Sequence, residues 1–433
     1  MRSKVHQSVI CTGCGCLCDD ITVEVMDDEI VKLAKACPLG RSKFLGHKSD
    51  RLTKPLIRRS EELVQSTLEE AIQRSIEILA DSRYPLLYGW AATSCEAMKA
   101  GIELAEEIGG IVDNASTHCH GPYLLSLHDV GVSTCTLGQV KNRADLIIYW
   151  GCNPVQAHPY HIRRYSIHSR GAFREGRKDR TLIVVDVRET FTARLADLFI
   201  RIDPGADFEL LTALRMLVKD EEIEQDMVSG ISISRLEEIA DMLLSCEFGV
   251  LFFGLGLTMS PGKSRNVDAA LSLVRDLNDR TKFVIIPMRG HFNVTGVNMT
   301  SVWETGYPFA VDFSRGYPRY NPGETSAVDV MMRGDIDATL VVAADPIAHL
   351  PQRAIRNLVR NPIIAIDPRR TMTTMAAHVV IPSAMMGVEV DGTAYRMDGV
   401  PLYVKKLIEP PQGCLSDVEL IRMITEGIRR RRR

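Results

Sequence analysis

The sequence lacks the features that would place it in a membrane or on a secretion pathway. Its longest apolar run, Gly249–Met259, is far too short to cross a bilayer. The N-terminal segment has no apolar stretch of the kind that a signal peptide needs, so we expect a cytoplasmic protein. The formal net charge is only -3, which argues against general nucleic-acid binding. The one basic run, Arg429–Arg433, is expected to be a solvated tail.

Several common catalytic signatures are also missing. The chain has no Walker A phosphate loop, no H-E-x-x-H zinc motif and no G-x-S-x-G nucleophile elbow. Gly254 and Gly256 do not complete a G-x-G-x-x-G fingerprint, so an ordinary NAD site is poorly supported. The composition, 45% hydrophobic and 25% charged over 433 residues, is that of a folded chain with a sizeable core.

Cysteine is the residue type whose distribution is unusual. Five of the 11 cysteines fall between Cys11 and Cys37, and a chain of this size without an export signal does not need a disulfide framework. The spacing Cys11-x2-Cys14-x3-Cys18, with Cys37 further on, suits four thiolates around a [4Fe–4S] cluster. Zinc is the competing interpretation, although the second C-x2-C pair of a structural zinc site is missing. Cys16 is expected to be a packed thiol.

Beyond the cysteine-rich segment the pattern becomes α/β. Short apolar runs alternate with amphipathic helices, which is typical of parallel strands buried on both faces of a sheet. We therefore predict a small N-terminal Fe–S subdomain followed by two pseudo-repeated Rossmann-like α/β lobes with parallel sheets. The predicted boundaries are 1–55 for the subdomain, 56–140 with 300–433 for the α/β parts that include the second lobe, and 141–299 for the first lobe and central region.

An internal repeat supports the two lobes. The stretches Asp186–Thr192 and Asp367–Thr373 share the pattern D-x-R-x-T-x-T, and each follows an apolar strand. Because paired features recur in the same order, we predict a nucleotide-type site beyond the strand ends of each lobe. The further pairs are Trp150–Pro154 with Val342–Pro346, and Leu87–Gly89 with Phe253–Gly256.

Three other motifs carry candidate chemistry. Cys119 lies between two histidines, and a thiolate is a strong ligand for a soft high-valent metal; by itself the motif is about as often structural, and a zinc site is also open. Arg289 follows the predicted strand Phe283–Ile286, where it can hold a carboxylate, a phosphate or a surface partner. The turn-rich stretch Glu389–Thr393 is of the kind that cradles a ligand.

Together these residues resemble the molybdopterin oxidoreductases that carry a bis-pyranopterin guanine dinucleotide. The elements that occur in that family's order are the four-cysteine start, Gly151-x-Asn153-Pro154 after a strand, D-x-R-x-T-x-T, Pro204–Asp207 and the late E-x-x-G-T. Within the family, four longer stretches resemble the catalytic subunits of formylmethanofuran dehydrogenases. These are T-H-C-H-G-P, P-M-R-G-H-F-N-V-T-G, T-G-Y-P-F-A-V-D-F-S-R-G-Y-P and G-T-A-Y-R-M-D-G-V-P-L.

The resemblance implies a role for each group of residues. One [4Fe–4S] cluster would be ligated by Cys11, Cys14, Cys18 and Cys37. Cys119 would bind tungsten or molybdenum beside four dithiolene sulfurs and a terminal sulfide, and His120 and Arg289 would hold and polarise the substrate. The two dinucleotide arms, one in each lobe, would contact the remaining residues, namely Gly151, Asn153, Asp186, Thr190, Asp207, Gly254, Gly256, Met288, Asp345, Asp367, Gly392 and Thr393.

The activity that the resemblance implies is two-electron reduction of CO2 to formate, with electrons reaching the metal from a ferredoxin-type donor through the cluster. Formate would pass to an amidohydrolase subunit (A), which condenses it with methanofuran in the first step of methanogenesis from CO2. A small subunit (D) would cover the dinucleotides, because a chain of 433 residues is short for this family. A C subunit and polyferredoxin-type electron carriers would complete the complex.

Two alternatives stay open beside this interpretation. The first is a formate dehydrogenase-type catalytic subunit that works without the partner subunits. The second is a cofactor-free scaffold subunit of a formyltransferase/hydrolase complex. A scaffold would need neither Cys119 nor the four-cysteine loop, and both are present.

Overall fold

The apolar runs of the sequence form strands whose side chains are buried on both faces, because hydrophobic residues in parallel strands are covered by helices on either side. The computed structural model describes residues 3–433. In chain order, its strands are β1 (Ser3–Val9), β2 (Ile21–Met26), β3 (Glu29–Ala34), β4 (Leu56–Arg59), β5 (Glu62–Gln65), β6 (Pro85–Gly89), β7 (Ile111–Asn114), β8 (Leu146–Trp150), β9 (Thr181–Asp186), β10 (Leu198–Arg201), β11 (Met227–Val228), β12 (Ile231–Ser232), β13 (Phe248–Phe253), β14 (Lys282–Pro287), β15 (Val311–Asp312), β16 (Arg319–Tyr320), β17 (Ala338–Val342), β18 (Ile363–Ile366), β19 (Val379–Ile381), β20 (Gly392–Tyr395) and β21 (Pro401–Val404).

Helices connect most of these strands, as the alternating pattern of the sequence predicts. They are α1 (Pro38–Leu45), α2 (Leu68–Asp81), α3 (Cys95–Ile108), α4 (Gly121–Val130), α5 (Leu137–Arg143), α6 (Pro154–Ala157), α7 (His161–Arg164), α8 (Asp207–Val218), α9 (Ile233–Ser245), α10 (Leu255–Thr258), α11 (Ser264–Leu277), α12 (Val294–Thr305), α13 (Ala327–Arg333), α14 (Pro346–His349), α15 (Gln352–Leu358), α16 (Met372–Ala376) and α17 (Asp417–Arg432). No helix within residues 3–433 is long and apolar enough to span a membrane.

The elements fall into two units. The central unit comprises Cys119–Gly290 with Met397–Val400, and the N/C unit comprises the described residues up to His118 together with His291–Arg396 and Pro401–Arg433. The sequence predicts a boundary near residue 140, whereas the central unit begins at Cys119. The difference arises because α4 packs along α11 within the central unit.

The central unit is built on a five-stranded, wholly parallel sheet. Its strand order is β10-β9-β8-β13-β14. The order of the chain reverses between β8 and β13, where Trp150 pairs with Phe253. In an open α/β sheet, ligands bind beyond the carboxyl ends of the strands at such a reversal. The fold therefore places the loops after β8 and β13 at a ligand-binding position.

The N/C unit is built on a nine-stranded sheet with a parallel centre. Five parallel strands in the order β19-β18-β17-β6-β7 are flanked by antiparallel pairs, β15 with β16 on one side and β4 with β5 on the other. The same unit contains the antiparallel sheet β1-β2-β3 and the hairpin β20–β21. Together with the central sheet, this arrangement confirms the predicted α/β class with parallel sheets.

The two sheets repeat one topology. The order β10-β9-β8-β13-β14 matches β19-β18-β17-β6-β7 strand for strand. The paired motifs of the sequence occupy equivalent positions in the two sheets, although the strands of each sheet do not follow one another along the chain. Gly89 pairs with Val342 in the N/C unit, and Phe253 pairs with Trp150 in the central unit. The reason is that the chain completes β6 and β7 before it enters the central unit and returns afterwards for β17, β18 and β19.

The arginines of the basic C-terminal run are exposed, as expected of a solvated segment, but Arg429–Arg432 form the last turn of α17 rather than a free tail. Ile428 is fully buried, and α17 packs against α2 and α3. Arg429 pairs with Glu107 and Arg431 pairs with Asp81, each over 2.7 Å. Arginines in the last turn also interact favourably with the helix dipole. The run therefore ends a helix on the surface of the N/C unit.

A buried ion pair joins distant segments of the N/C unit. Arg51 donates to both carboxylate oxygens of Glu389 over 2.6 and 3.2 Å, and the two side chains are only 7% and 3% exposed. Arg51 also donates to the carbonyls of Pro368 and Ser383. The turn pattern suggested the Glu389 carboxylate as part of a ligand cradle. In the structure this carboxylate instead forms an ion pair that stabilises the fold.

We predict that Glu389→Gln lowers the free energy of unfolding by about 3 kcal/mol, because it leaves the Arg51 charge buried without a counter-charge. Urea denaturation of the purified chain measures the change. The matched control is Glu70→Gln, which removes the exposed partner of Arg59 and is expected to cost less than about 1 kcal/mol. Equal losses in the two variants would contradict the importance of the buried pair.

Candidate active site

The four cysteines of the N-terminal motif are buried around one loop and one helix start. Cys11, Cys14 and Cys18 lie in the loop between β1 and β2, which is closed by a 2.8 Å hydrogen bond from the Cys11 N–H to the Cys18 carbonyl. Cys37 caps the N-terminus of α1, and its Sγ accepts the N–H of Gly40 over 3.5 Å. All 11 cysteines in the described part of the chain are free.

Two of these sulfurs meet at Gly40. A Cβ on Gly40 would lie 2.9 Å from Cys11 Sγ and 4.0 Å from Cys37 Sγ, so a glycine is needed for the sulfurs to approach. Burial, with smaller contributions from the nearby Cys14 and Cys37, raises the pKa of Cys11 to about 12. Cys16 is buried in the same loop, and its hydrogen bond to Cys14 lowers the pKa of Cys14.

This thiol cluster differs from a single-ion site. Within residues 3–433, no group of three or more histidine, cysteine or carboxylate side chains is arranged to hold one metal ion. A [4Fe–4S] cluster binds each thiolate through a different iron atom, so its four sulfurs do not have to converge on one point. The donor set of four buried soft sulfurs therefore suits a cluster better than zinc.

Cys119 and His120 lie immediately before α4 in the central unit. Cys119 is half-buried, its Sγ lies 2.9 Å from His120 Nδ1, and its carbonyl accepts the hydroxyl of Thr258 over 2.9 Å. Burial raises the pKa of Cys119 to about 11, whereas the charge of Arg289 acts in the opposite direction. A cation and a helix N-terminus both favour the thiolate, so a metal ligand at this position is chemically reasonable.

Arg289, two residues after the end of β14, lies near Cys119 and His120. Its side chain is buried, and the guanidinium carbon lies 5.7 Å from the centroid of the Tyr123 ring. Its carbonyl lies 2.9 Å from His158 Nε2. Burial lowers the pKa of His120 to about 3, with further lowering by the charges of Arg289 and His158. The imidazole of His120 is therefore neutral at physiological pH, and the local positive charge is that of Arg289.

Aromatic rings enclose this Cys119–His120–Arg289 cluster within the central unit. The Phe253 ring lies 6.0 Å from the His120 ring and 5.4 Å from the Tyr123 ring, centroid to centroid. Such rings exclude water and strengthen electrostatic interactions nearby. His118, the other histidine of the motif, belongs to the N/C unit, where its Nδ1 lies 3.0 Å from the Tyr88 hydroxyl.

The glycines predicted to bind a cofactor sit where two loops touch. A Cβ on Gly256 would lie 2.5 Å from the Cα of Gly151, and a Cβ on Gly254 would lie 2.5 Å from the Cβ of Cys152. Gly151 also has a positive φ of 56°, which favours glycine. The loops after β8 and β13 thus cross with no side chain between Gly151 and Gly256. Met288 continues the same edge, with its N–H donating to the Phe253 carbonyl over 2.8 Å.

Asn153 and Asp345 accept the same hydrogen bond in their separate units. Thr192 Oγ1 donates to Asn153 Oδ1 over 2.7 Å, and Thr373 Oγ1 donates to Asp345 Oδ1 over 2.6 Å. Each threonine is the last residue of its D-x-R-x-T-x-T element. Each hydroxyl also accepts a main-chain N–H from the short helix that begins directly after Asn153 or Asp345, α6 or α14. The exchange of asparagine for aspartate therefore preserves this bond.

The aspartates of the repeated element lie at strand ends. Asp186 ends β9 and accepts the N–H of Arg188 over 3.3 Å, while Asp367 follows β18 and accepts the N–H of Arg369 over 2.8 Å. Burial raises the pKa of both carboxyl groups, that of Asp367 to about 7. Carboxylates at this position of an α/β sheet are placed to bind the hydroxyl groups of a nucleotide ribose.

A polar cleft of about 110 Å³ adjoins this region of the central unit. The predicted residues Asn153 and Thr190 both line it. Arg188 and Arg194 add positive charge, and Glu189, which pairs with Arg194 over 3.3 Å, adds one negative charge. The ring of Phe191, the sixth residue of the repeated element, is 57% exposed. Arginines beside an exposed aromatic ring suit the phosphates and the base of a nucleotide.

The Asp207 side chain hydrogen-bonds other segments of the central unit. Its Oδ1 accepts the indole N–H of Trp150 over 2.8 Å, and its Oδ2 accepts the hydroxyl of Ser260 over 2.9 Å. These bonds connect the N-terminus of α8 with the loops after β8 and β13. The N/C unit has a corresponding bond, in which the Thr93 hydroxyl donates to Asp417 at the N-terminus of α17.

Thr393 and Gly392 contact α3 in the N/C unit. Thr393 donates its hydroxyl and its N–H to the two carboxylate oxygens of Glu96 over 2.6 and 3.0 Å. A Cβ on Gly392 would lie 2.6 Å from the Cβ of Ser94. Asn293 accepts the N–H of Tyr395 in the same hairpin over 2.9 Å. These contacts hold the hairpin β20–β21 against the helix.

Comparison with known proteins identifies the family to which this architecture belongs. The family model described as molybdopterin oxidoreductase matches residues 51–427. The chain belongs to the molybdopterin oxidoreductase family. The resemblance inferred from the motifs is therefore confirmed at the level of the family.

Two relatives match this molybdopterin oxidoreductase along its whole length. One is the B subunit of the tungsten-containing formylmethanofuran dehydrogenase 2 of Methanocaldococcus jannaschii, which is 49% identical over 98% of this chain and 99% of the relative. The other is the protein of the same name from Methanococcus maripaludis, which is 45% identical over 98% and 99%. Both are named as subunits of an oxidoreductase that contains tungsten.

A solved structure shares the fold at much lower identity. It is the formyltransferase/hydrolase complex FhcABCD from Methylorubrum extorquens in complex with methylofuran, with a TM-score of 0.71 and 20% identity over 87% of this chain and 99% of the matched chain. At this identity the likeness concerns the fold alone.

Sequence reasoning singled out the three residues of the Cys119–His120–Arg289 cluster but missed their neighbours. Cys119, His120 and Arg289 stand out in local motifs. Tyr123 and His158 do not, since neither belongs to a spaced motif and each meets Arg289 only in the folded chain. A signal for Tyr123 was present in its position one turn after Cys119, on the same helix start.

We predict that Gly256→Ala lowers the free energy of unfolding by about 2–3 kcal/mol, because its Cβ would overlap the backbone at Gly151. Urea denaturation measures the change. The matched control is Gly138→Ala in α5, where the nearest atom to the added Cβ is Thr136 Oγ1 at 3.5 Å; it is expected to be neutral or slightly stabilising. A Gly256→Ala variant as stable as this control would refute the loop-crossing argument.

Proposed function

We propose that this chain is the catalytic subunit of a formylmethanofuran dehydrogenase and that it reduces CO2 to formate at a tungsten or molybdenum centre. The observation that carries the proposal is the Cys119–His120–Arg289 cluster, in a chain that is 49% identical to a subunit of a tungsten-containing enzyme of that name. A soft metal ligand beside a buried cation suits the interconversion of CO2 and a small carboxylate.

The residues around Cys119 fit a soft metal. Cys119 as a residue is only partly buried. Burial alone keeps the thiol protonated, since it raises the pKa of Cys119 to about 11. Metal binding removes such a proton, because a coordinating thiol is bound as the thiolate. The nearby guanidinium of Arg289 favours the resulting negative charge.

The bound metal centre would supply the two-electron chemistry by which CO2 takes up two electrons and one proton to become formate. Arg289 offers a planar pair of N–H donors to the carboxylate of formate, and its burial makes that interaction strong. His120 acts as a neutral hydrogen-bonding group, because its pKa is lowered to about 3. Tyr123 and Phe253 keep water away from these groups.

The remaining residues serve the other cofactors in this proposal. Cys11, Cys14, Cys18 and Cys37 would ligate one [4Fe–4S] cluster, which would supply electrons for the reaction. Each unit would hold one arm of a bis-pyranopterin guanine dinucleotide beyond its strand ends. The central unit contributes the cleft beside Asn153 and Thr190, and the N/C unit contributes Asp345 and Asp367. Asp207 and Thr393 act indirectly, through the loops and the hairpin that they hold.

The partners in the proposal follow from the reaction. A ferredoxin-type carrier supplies electrons, and an amidohydrolase subunit (A) takes formate and condenses it with methanofuran. A small subunit (D) covers the dinucleotides, and a C subunit and polyferredoxin-type carriers complete a cytoplasmic complex. The two relatives from methanogens are each named as one subunit of a larger enzyme, which supports an assembly of several subunits.

We predict that Cys119→Ala in the native complex abolishes CO2 reduction and formate oxidation while the chain stays folded, because the substitution removes the thiolate ligand. Formate oxidation with an artificial electron acceptor, together with elemental analysis for tungsten and molybdenum, measures the effect. Cys135→Ala, which removes another partly buried cysteine of the central unit, is the control and is expected to keep activity.

Each other outcome of this experiment points away from the proposal. Full activity of Cys119→Ala would remove Cys119 as the metal ligand. A wild-type complex without tungsten, molybdenum or iron would favour the scaffold alternative. Formate oxidation by the isolated chain without its partners would favour the formate dehydrogenase-type alternative.

We predict that Cys37→Ser removes or strongly changes the electron paramagnetic resonance signal of the reduced cluster, because a serine oxygen is a poor ligand for iron that prefers soft sulfur. Cys414→Ser, at another buried cysteine of the N/C unit, should leave the spectrum unchanged. An unchanged spectrum in Cys37→Ser would point to a different fourth ligand, and Cys16 would be examined first.

A further inference from the structure

A buried histidine, His158, hydrogen-bonds the main chain of the candidate substrate-binding residue Arg289. His158 connects α6 to α7 and is only 3% exposed. Its Nε2 lies 2.9 Å from the main-chain carbonyl of Arg289, which is 131 residues away in sequence. Because a carbonyl oxygen only accepts hydrogen bonds, Nε2 must carry the proton and donate. Burial lowers the pKa of His158, so the ring stays neutral and the other nitrogen, Nδ1, is an acceptor.

The chain changes from buried to exposed just after Arg289, since Met288 and Arg289 are buried and Gly290 is exposed. The residue before it, Met288, is held by a hydrogen bond to Phe253, and the residue after it is Gly290. A Cβ built on Gly290 has no neighbour within 4 Å, so open space surrounds the backbone at that side. The hydrogen bond from His158 therefore holds the last buried residue before the chain becomes exposed, and that residue is Arg289, which bears the guanidinium.

His158 also lies close to the second candidate substrate-binding side chain. It is near enough to His120 that a positive charge on one ring lowers the pKa of the other. His120 Nε2 and His158 Nδ1 are both buried and have no hydrogen-bond partner among the described residues. The His158 imidazole thus contacts the main chain of Arg289 and acts electrostatically on His120.

We propose that His158 is a positioning residue for the reaction, whose hydrogen bond to the Arg289 carbonyl sets where the guanidinium meets the carboxylate of formate. The inference rests on the proposed function, since it assigns His158 to the same reaction. It differs from an ordinary core histidine because its partner is the main chain of a substrate-binding residue, and a buried hydrogen bond of this kind restricts the movement of that chain.

His161 provides the comparison within the same unit. It is fully buried, and its Nδ1 bonds the Tyr149 hydroxyl over 3.0 Å instead of the Arg289 carbonyl. Replacing His158 or His161 by leucine removes a buried imidazole in both cases. Replacing His158 by glutamine keeps an N–H donor in the region of Nε2, so His158→Gln is the rescue variant.

The experiment uses the complete native complex with each variant and two independent readouts. The first is hydrogen–deuterium exchange of the peptide that contains Met288–Gly290, which requires no turnover. The second is the separate measurement of KM for formate and kcat, with tungsten, molybdenum and iron contents determined alongside. We expect His158→Leu to speed exchange in that peptide and to raise KM for formate roughly tenfold, the size associated with one buried hydrogen bond.

The other variants complete the prediction. His158→Gln should return KM to within about threefold of wild type, since the donor is restored. His161→Leu should leave exchange at Met288–Gly290 and KM near wild type, even where it lowers stability. Metal contents should be unchanged in all three variants, because none of the substituted residues is a proposed metal ligand.

Three results would overturn the proposal. They are an unchanged KM in His158→Leu, a His158→Gln variant as impaired as His158→Leu, and equal effects of His158→Leu and His161→Leu on exchange and KM. Failure of the proposed function gives a different result. In that case the wild-type complex does not oxidise formate at all, while the exchange readout still decides whether His158 holds the Arg289 segment.

Discussion

The crossing of two glycine backbones is the constraint on which the rest of the site depends. Because no side chain separates Gly151 from Gly256, the loops after β8 and β13 touch at the point where the strand order reverses. This contact places the start of α10, from which Thr258 donates to the Cys119 carbonyl. The position of the candidate metal ligand is thus linked, through Thr258, to main-chain packing that allows very little displacement.

Burial of charge gives the site its chemistry. A guanidinium removed from water is costly unless partners surround it, and Arg289 lies near the Tyr123 ring and the Cys119 sulfur. The same burial keeps His120 neutral. The cluster therefore contains one positive charge, that of Arg289, beside the neutral imidazole of His120 and the Cys119 thiol, which can ionise. That balance suits a carboxylate that must bind and then leave, since a second fixed cation would hold it more tightly.

The duplicated topology explains which features recur. Both sheets have the same strand order. In both, a threonine hydroxyl donates to the residue just before a short helix, Asn153 before α6 and Asp345 before α14. Both also join a hydroxyl to an aspartate at a helix N-terminus, Ser260 with Asp207 and Thr93 with Asp417. Only the first of these correspondences is visible in the sequence. The second is hidden because the hairpin β20–β21 lies between β19 and α17, whereas α8 follows β10 directly.

The sequence by itself determined the four-cysteine spacing, the parallel α/β class, the repeated D-x-R-x-T-x-T element and the three residues of the reactive cluster. These are patterns of near neighbours, which periodicity and spacing report directly. Only the tertiary structure decided that β6 belongs beside β17, that Glu389 pairs with Arg51, and that His158 reaches Arg289. Such contacts join residues far apart in the chain, and their geometry is set by the packing of whole sheets rather than by local preference.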